Sequence, residues 1–563
     1  MARTVGIGIQ DFGKIVKNNY FYIDKTHFIK EWWEGGDEVT LITRPRRFGK
    51  TLTMSMVEQF FSIKYAKQEN VFEKLNIWKL EKYRNLQGTY PVISLSFANI
   101  KGKCFETVRS EICQILTNLY IQNSFLKDSD ILVDKDKDFI DRVSVNMSDS
   151  DAAMSLHLLC DYLYRYYGKK VIVLLDEYDT PMQEAYINGF WEELVSFTRG
   201  LFNATFKTNP YLERGIMTGI TRVSKESIFS DLNNLEVVTT TSNKYADDFG
   251  FTETEVFCAM DEFGMIQKEE VKQWYDGFVF GKVSDIYNPW SIINFLDKGV
   301  LNTYWANTSA NSLVGKLLQE ASSRTKEKFE MLLSGKTIKS RLDEQIVYDQ
   351  LNASETAIWS LLLASGYLKM MRKESLVTTR NYRKSRECEL MLTNFEVQLM
   401  FEDLVIGWFG KAESDYNDFI KALLLRDIQA MNTYMNRVAL KVFSYFDVGN
   451  RPSGAEPERF YHGFVLGLLV ELSDQYIVTS NRESGFGRYD VLLEPLDKSK
   501  DGIILEFKIH DSEKEKNLQD TVNSALKQIE EKQYEQVLLE HGVLKKNICK
   551  YGFAFEGKTV LIG

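Results

Sequence analysis

The hydrophobic pattern near the amino terminus predicts a strand followed by a helix. Residues 39–43 are apolar or β-branched, a composition that favours a strand. Further along, Leu52, Met56 and Phe60 recur every four residues and place one apolar stripe on a helix. The segment 44–51 therefore lies in a loop that joins a strand to a helix.

Two further segments have the pattern of buried strands. Five successive apolar residues at 171–175 are typical of a strand covered on both faces of a parallel sheet. Its carboxyl end delivers Asp176 and Glu177, and open α/β sheets bind their ligands at that edge. A third strand is predicted at 215–220, and it ends beside Thr221.

The loop at 44–51 reads Arg-Pro-Arg-Arg-Phe-Gly-Lys-Thr. In a loop of this kind, backbone N–H groups and the helix N-terminus face phosphates, Lys50 reaches the outer phosphates, and the Thr51 hydroxyl binds Mg²⁺. Arg44 stands where the first glycine of the usual pattern would fall, so the loop begins without that backbone freedom. The segment predicts binding of ATP with Mg²⁺, against the plainer interpretation of a basic surface turn.

The two acidic residues after the second strand complete this prediction. Asp176 is expected to hold Mg²⁺ through water, and Glu177 to orient or deprotonate the attacking water. Thr218 is a candidate sensor of the γ-phosphate and Arg222 a candidate partner for it, with a plain strand cap as the alternative. The predicted nucleotide site comprises Arg46, Arg47, Phe48, Gly49, Lys50, Thr51, Asp176, Thr218 and Arg222.

A second constellation lies in the carboxyl-terminal third. Asp490 opens one predicted strand, and the next ends in Glu506-Phe507-Lys508. Side chains alternate along a strand, so Glu506 and Lys508 face one way while Phe507 packs behind them. Asp490 and Glu506 are then placed to share a hard divalent cation, most simply Mg²⁺, and Lys508 to position the attacking water.

Six short motifs together resemble a known family. They are GIGIQDF at 6–12, YIDKT at 22–26, RPRRFGKT at 44–51, LLDEYD at 174–179, TGITR at 218–222 and WYDGF at 274–278. The chain resembles the bacterial AAA-ATPase-like proteins, which usually carry a PD-(D/E)XK nuclease-like domain at the carboxyl terminus. The arginine in place of the first glycine is that family's own form of the loop.

The resemblance implies an α/β architecture in three parts. These are an AAA/STAND-like P-loop domain with a parallel sheet at 1–255, a helical lid and winged-helix-like region at 256–414, and an α/β PD-(D/E)XK-like domain at 415–563. It also implies that Glu458 adds a metal ligand from the first helix of the last domain, and that Gln528 points back at the site from a later helix.

Composition narrows the class of protein. With 44% hydrophobic and 13% aromatic residues among 563, the chain can bury large cores. With a formal charge of −10, the chain lacks the excess of basic residues that a constitutive DNA binder has. Contact with DNA therefore requires a local basic patch such as Arg44, Arg46 and Arg47. Six scattered cysteines, no signal-peptide pattern and no long apolar run favour a cytoplasmic protein without a membrane span.

Three functions remain open from the sequence. The first is an ATP-controlled, Mg²⁺-dependent nuclease in bacterial DNA processing or defence against mobile DNA. The second is an ATPase switch whose nuclease-like domain is inactive and only binds nucleic acid or a protein partner. The third is a nucleic-acid-binding scaffold that holds nucleotide without turnover. The oligomeric state is open in all three.

Overall fold

The computed structural model describes residues 2–222, 229, 232–306, 312–343, 351, 354–371, 387–408, 413–442, 456–484, 487–511, 514–556 and 559–563. The chain forms two compact units that are each discontinuous in sequence: Met1–Ala310 with Lys339–Val397, and Asn311–Ile338 with Gln398–Gly563. These units are defined by contacts in space, whereas the domain boundaries predicted after residues 255 and 414 come from sequence patterns. The predicted boundaries therefore stay predictions.

The amino-terminal part alternates strands and helices. Its elements are α1 Phe12–Lys17, α2 His27–Gly35, β1 Val39–Thr43, α3 Lys50–Phe61, α4 Glu81–Arg84, β2 Val92–Ser96, α5 Phe105–Gln122, α6 Asp134–Arg142, α7 Asp149–Tyr167, β3 Val171–Asp176, α8 Thr180–Asn188, α9 Trp191–Phe206, β4 Leu212–Gly219 and β5 Leu235–Val238. The strands form one sheet in the order β2-β3-β4-β1-β5, and every neighbouring pair is parallel. The predicted parallel sheet is confirmed.

Burial explains why these strands have little polar content. All residues of β1 and β3 are buried, as expected for strands covered on both faces. The predicted stripe on α3 packs on one side, where Met56 and Phe60 join a core with Phe28 and Trp32 of α2. β4 lies between β1 and β3, so the carboxyl ends of these three strands are neighbours at one edge.

Helices dominate the middle of the chain. Its elements are β6 Phe251–Thr252, α10 Glu253–Phe263, α11 Lys268–Tyr275, β7 Phe278–Phe280, β8 Val283–Tyr287, α12 Pro289–Lys298, α13 Ser312–Glu320, α14 Ser323–Leu333, β9 Ile338–Arg341, α15 Glu355–Ala364, β10 Leu368–Met371, β11 Glu387–Leu392 and α16 Phe395–Trp408. Asn288 caps α12 by accepting from Trp290 N and Ser291 N, with Pro289 at the first helical position.

The carboxyl-terminal part contains a second five-stranded sheet. Its elements are α17 Glu413–Leu424, α18 Ile428–Val442, α19 Glu456–Glu471, β12 Tyr476–Ser484, β13 Gly487–Pro495, β14 Gly502–Ile509, α20 Leu518–Glu531, α21 Glu535–Glu540, β15 Ile548–Glu556 and β16 Thr559–Ile562. The order is β12-β13-β14-β15-β16. Only β14 and β15 are parallel, and the intervening α20 packs Ile529 against Ile504 of β14.

Candidate functional site

The loop between β1 and α3 places a lysine under backbone carbonyls. Gly49 precedes α3 with φ 82°, in the left-handed region that glycine adopts without strain. Lys50 begins the helix, is 3% exposed, and donates from Nζ to the carbonyls of Arg44 at 3.0 Å and Pro45 at 2.9 Å. Burial lowers the pKa of Lys50. A buried ammonium held by two neutral carbonyls is chemically suited to a phosphate.

Thr51 and Asp176 meet at the same edge. The Thr51 hydroxyl donates to Asp176 Oδ2 at 2.7 Å, and the Thr218 hydroxyl donates to Asp176 Oδ1. Burial raises the pKa of Asp176, while these two hydrogen bonds act in the opposite direction. The two residues predicted to bind magnesium, Thr51 and Asp176, thus lie together. The Asp176 carboxylate is held between the hydroxyls of Thr51 and of Thr218 in β4.

Glu177 has an unusual backbone. Its φ is 51°, a conformation that costs a non-glycine residue free energy and is often found at functional sites. Its N–H donates to Thr218 Oγ1 at 3.2 Å, and its Oε2 accepts from Thr180 Oγ1 at 3.2 Å. These contacts hold the carboxylate at the strand end, beside the cavity that contains the loop.

Asp179 is a supporting residue to which the sequence analysis gave no role. Its buried Oδ2 accepts from Ile220 N, Thr221 N and Thr221 Oγ1 at 2.9, 2.9 and 3.0 Å. The neighbouring Tyr178 donates to the Thr221 carbonyl at 2.7 Å. The carboxyl end of β4 is therefore fixed to the acidic strand end, and the last aspartate of the LLDEYD motif was the available signal.

Arg44 corrects one expectation. It was a candidate for a nucleic-acid-binding patch, but it is 0% exposed. Its guanidinium donates to the carbonyls of Thr43, Thr239 and Tyr245 at 2.8–3.0 Å and lies 4.7 Å from the centre of the Phe280 ring. Burial lowers its pKa to about 9. The arginine in the first-glycine position ties β1 to the chain after β5, and solvent does not reach it.

The loop opens into a cavity of about 440 Å³. Gly49, Lys50 and Thr51 line it together with Glu177. It is also lined by apolar side chains that the sequence analysis did not assign to the site, namely Ile9, Ile15, Phe21, Ile23, Trp290 and Ile293. Ile9 and Ile23 had a signal in the GIGIQDF and YIDKT motifs, and the other four had none there. The lining therefore combines polar and charged groups with apolar side chains.

The other loop residues of the predicted site, Arg46, Arg47 and Phe48, make different contacts. Arg46 donates to Gln183 Oε1 at 3.0 Å, and the Arg47 guanidinium lies 4.5 Å from the centre of the Trp290 ring. Phe48 lines the cavity but is 1% exposed, packed on Phe278. All three line the cavity.

Three of the predicted nucleotide-site residues, Asp176, Thr218 and Arg222, lie outside the set that lines it. Thr218 contacts Asp176, and the contact of Arg222 with a phosphate stays a prediction.

A second site lies at the end of β14. Glu506 is 2% exposed, and its Oε1 accepts from the Gln528 amide, whose own Oε1 accepts from Lys508 Nζ at 2.9 Å. Asp490 Oδ2 accepts from Phe507 N at 2.8 Å. Phe507 stacks on Phe553, with ring centres 4.6 Å apart, on the opposite face. The structure brings these predicted residues together, with the alternation expected of a strand.

The electrostatics of this second site favour a cation. Burial, and next the charge of Asp490, raise the pKa of Glu506 to about 8, while Lys508 acts in the opposite direction. Glu506 Oε2 is buried and accepts no hydrogen bond from the residues that the structure describes. An unpaired buried carboxylate oxygen next to a second acid fits the ligand set of a hard divalent ion.

Two more residues bear on this site. The buried Tyr534 accepts a hydrogen bond from Gln528 Nε2 at 3.2 Å and so helps to fix that amide, a role that sequence reasoning missed. Glu458 lies in α19, but its side chain is outside the described residues. Its contribution to the metal site stays a prediction.

Within the described part of the chain, no helix has the length and apolar content needed to cross a membrane.

Comparisons with known proteins match two segments of the chain to domain families. Residues 6–229 match the family model described as Predicted AAA-ATPase (AAA-ATPase_like), and residues 456–563 match the PD-(D/E)XK nuclease superfamily. A protein of Azotobacter chroococcum mcd 1, described as "Uncharacterized protein in vnfD 5'region", is 24% identical over 486 residues, which cover 84% of this chain and 85% of that protein. The chain carries a predicted AAA-ATPase-like domain and a PD-(D/E)XK nuclease superfamily domain, which confirms the resemblance.

Proposed function

We propose that the protein binds and hydrolyses ATP at the loop 44–51 and that its carboxyl-terminal domain is a metal-dependent nuclease. The observation that carries the first part is the buried Lys50 ammonium beside the Thr51–Asp176 hydrogen bond, with Lys50 and Thr51 lining a cavity. A setting in DNA processing or defence against mobile DNA belongs to the same proposal.

The residues of the first site have separable tasks. Lys50 exchanges its two carbonyl partners for phosphate oxygens, and the amides at the start of α3 face the same charge. Thr51 and Asp176 would hold Mg²⁺, which when bound neutralises charge on the transferring phosphate. Glu177 accepts a proton from water or orients it. The apolar side chains of the lining, Ile9 among them, would contact the base.

Calorimetry with Mg²⁺ and ATP tests the binding site. Lys50→Ala should lower ATP affinity by about 10- to 100-fold, because charged hydrogen bonds contribute roughly 1.5–3 kcal/mol. Lys170→Ala, at an exposed lysine outside the cavity, is the matched control and should bind as the wild type does. Equal affinity in the Lys50 and Lys170 variants would contradict the assignment.

For the second site, the unpaired Glu506 oxygen supports a bound divalent cation. Asp490 and Glu506 would hold it, and the ion when bound activates water and stabilises charge on the phosphorus. Lys508, oriented by Gln528, positions the water or offsets the developing charge. The second candidate is an ATPase switch with an inactive nuclease-like domain. The formal net charge of −10 favours it, because binding to DNA phosphates depends on an excess of Lys and Arg.

A further inference from the structure

One imidazole and two carboxylates converge where α2 meets the chain after β5. His27 and Glu31 are one turn apart on α2, so they share a face of the helix. Asp248 lies opposite, with Oδ1 2.8 Å from His27 Nε2. One ligand atom from each of the three residues lies within 4.8 Å of the other two. Their spacing brings three groups of metal-binding chemistry to one point.

Asp248 is a buried acid without hydrogen-bond donors. Its side chain is 0% exposed, and neither oxygen accepts a hydrogen bond from the residues that the structure describes. Its charged neighbour at contact distance is the His27 imidazole, 2.8 Å away in an ion pair. Asp179, also buried, takes three donors on one oxygen. A buried carboxylate is costly unless a cation compensates it, and here a single imidazole lies beside two acids, Asp248 and Glu31.

Lys25 and Arg44 lie near Asp248, but their hydrogen bonds go to other groups. Lys25 Nζ binds Glu255 Oε2 at 2.8 Å and the Asp247 carbonyl at 2.7 Å. Arg44 donates to main-chain carbonyls and reaches Asp248 only through longer-range attraction. Two acids thus share one imidazole, and their ligand atoms lie within 4.8 Å of one another.

We propose that His27, Glu31 and Asp248 bind a transition-metal dication of the Zn²⁺ class. A mixed set of one nitrogen and two carboxylate oxygens suits such an ion better than Mg²⁺ or Ca²⁺, which prefer oxygen alone. At metal–ligand distances of ~2.0–2.2 Å, tetrahedral ligand atoms lie about 3.3 Å apart, and the ligand atoms here all lie within 4.8 Å of one another. His27 is 36% exposed, so an ion enters from solvent and water completes its coordination.

The place of the site suggests what the ion stabilises. Asp248 precedes Gly250 by two residues, and a side chain at Gly250 would contact the Phe48 ring of the loop. Asp248 itself borders the nucleotide cavity. The ion fastens α2 to the segment that packs against the phosphate-binding loop. This assignment is independent of ATP hydrolysis and of nucleic-acid cleavage.

Zinc titration of the full chain tests the site. Metal-stripped protein is titrated with Zn²⁺ by calorimetry in millimolar Mg²⁺, which occupies the oxygen-rich sites. The wild type should bind one Zn²⁺ that Glu31→Gln and Asp248→Asn each bind at least about ten-fold more weakly, since even outer-shell substitutions cost 10- to 100-fold. His541→Ala is the matched control, because His541 contacts Glu494 at the same 2.8 Å without a second acid.

The exposed position of Glu31 keeps the test decisive if the Asp248 variant misfolds. Replacing an exposed acid should leave circular dichroism unchanged, so weaker Zn²⁺ binding in Glu31→Gln reports a lost ligand. Substitution of Co²⁺ should give visible d–d absorption that disappears in His27→Ala. Wild-type Zn²⁺ affinity in folded Glu31→Gln, or no Zn²⁺ bound by the wild type, would overturn the proposal.

Discussion

At the residue scale, the motifs predicted residues that the structure brings together, and the structure added the groups that hold them. Lys50 and Thr51 could be predicted because a phosphate-binding loop has a fixed local spacing, and Asp176 because it ends a buried strand. Asp179 and Tyr534 could not, since their importance comes from partners 41 and 6 residues away that only the fold brings near. The burial of Arg44 was equally hidden, because a charged residue in a loop is ordinarily exposed.

Glu177 is expected to act in hydrolysis and not in binding. Its strained backbone and its place at the cavity point to a positioned base, and a general base contributes typically 10²- to 10⁴-fold to rate. Glu177→Gln should therefore lower the rate of phosphate release by at least about 100-fold while ATP affinity stays within about three-fold. Phosphate release and calorimetry measure the two quantities.

Glu184→Gln provides the control, because Glu184 also borders the cavity but follows no strand end. It should hydrolyse ATP at the wild-type rate. A Glu177→Gln protein that releases phosphate as fast as the control would show that another group activates the water.

At the element scale, the strands and helices around the loop followed from local pattern. The strand at 39–43, the helix after Gly49 and the strand ending at Asp176 lie where periodicity placed them. The sheet order could not be predicted, because β1 pairs with β4 and β5, whose residues are more than 170 positions away. Strand pairing depends on long-range burial that no local window contains.

One buried acid fastens three elements of the middle region. Glu396 of α16 is 1% exposed and accepts from Ser291 Oγ of α12 at 2.8 Å and from Trp305 N at 2.6 Å. The Trp305 indole donates in turn to the Arg46 carbonyl in the phosphate loop at 3.0 Å. Burial raises the pKa of Glu396 to about 7. The loop is thus supported by a carboxyl group that titrates near neutrality.

The pH dependence of stability follows from that carboxyl group. A raised pKa means that the folded state holds the proton more tightly than the unfolded state, so the contribution is complete below about pH 4.5 and is lost as pH rises through 7. Relative to Glu396→Gln, which resembles the protonated acid, the wild type should lose on the order of 1–3 kcal/mol between pH 5 and pH 8. Urea unfolding followed by tryptophan fluorescence measures it.

Glu269→Gln serves as the control, since Glu269 is an exposed acid in the first turn of α11. Identical pH profiles for the wild type and Glu396→Gln would contradict the assigned titration.

At the scale of the whole molecule, two candidate sites occupy two compact units. The cavity beside the loop 44–51 is lined by residues between 5 and 293, whereas Asp490, Glu506 and Lys508 belong to the other unit. The sequence anticipated both sites because each motif is local. It did not show that residues 311–338 join the carboxyl-terminal unit, because a scan along the chain has no signal for a discontinuous unit.

This separation makes the nuclease proposal testable without disturbing nucleotide binding. Asp490→Ala and Glu506→Ala should each abolish Mg²⁺-dependent cleavage of supercoiled, linear or single-stranded DNA, because the cation both activates water and stabilises the developing charge. ATP affinity should be unchanged in both variants, since neither residue borders the cavity. Gel assays with and without ATP, together with calorimetry on the same preparations, measure both properties.

The pattern of results distinguishes the two candidate functions. Glu494→Gln is the control for a carboxylate on β13 whose partners are Lys498 and His541, and it should cleave as the wild type does. A wild type that binds DNA but never cuts it, with binding intact in the Asp490 and Glu506 variants, would assign the domain to binding alone. Cleavage that persists in the purified double variant would place the activity outside this site, because removal of both carboxylates leaves the cation without its two protein ligands on the sheet.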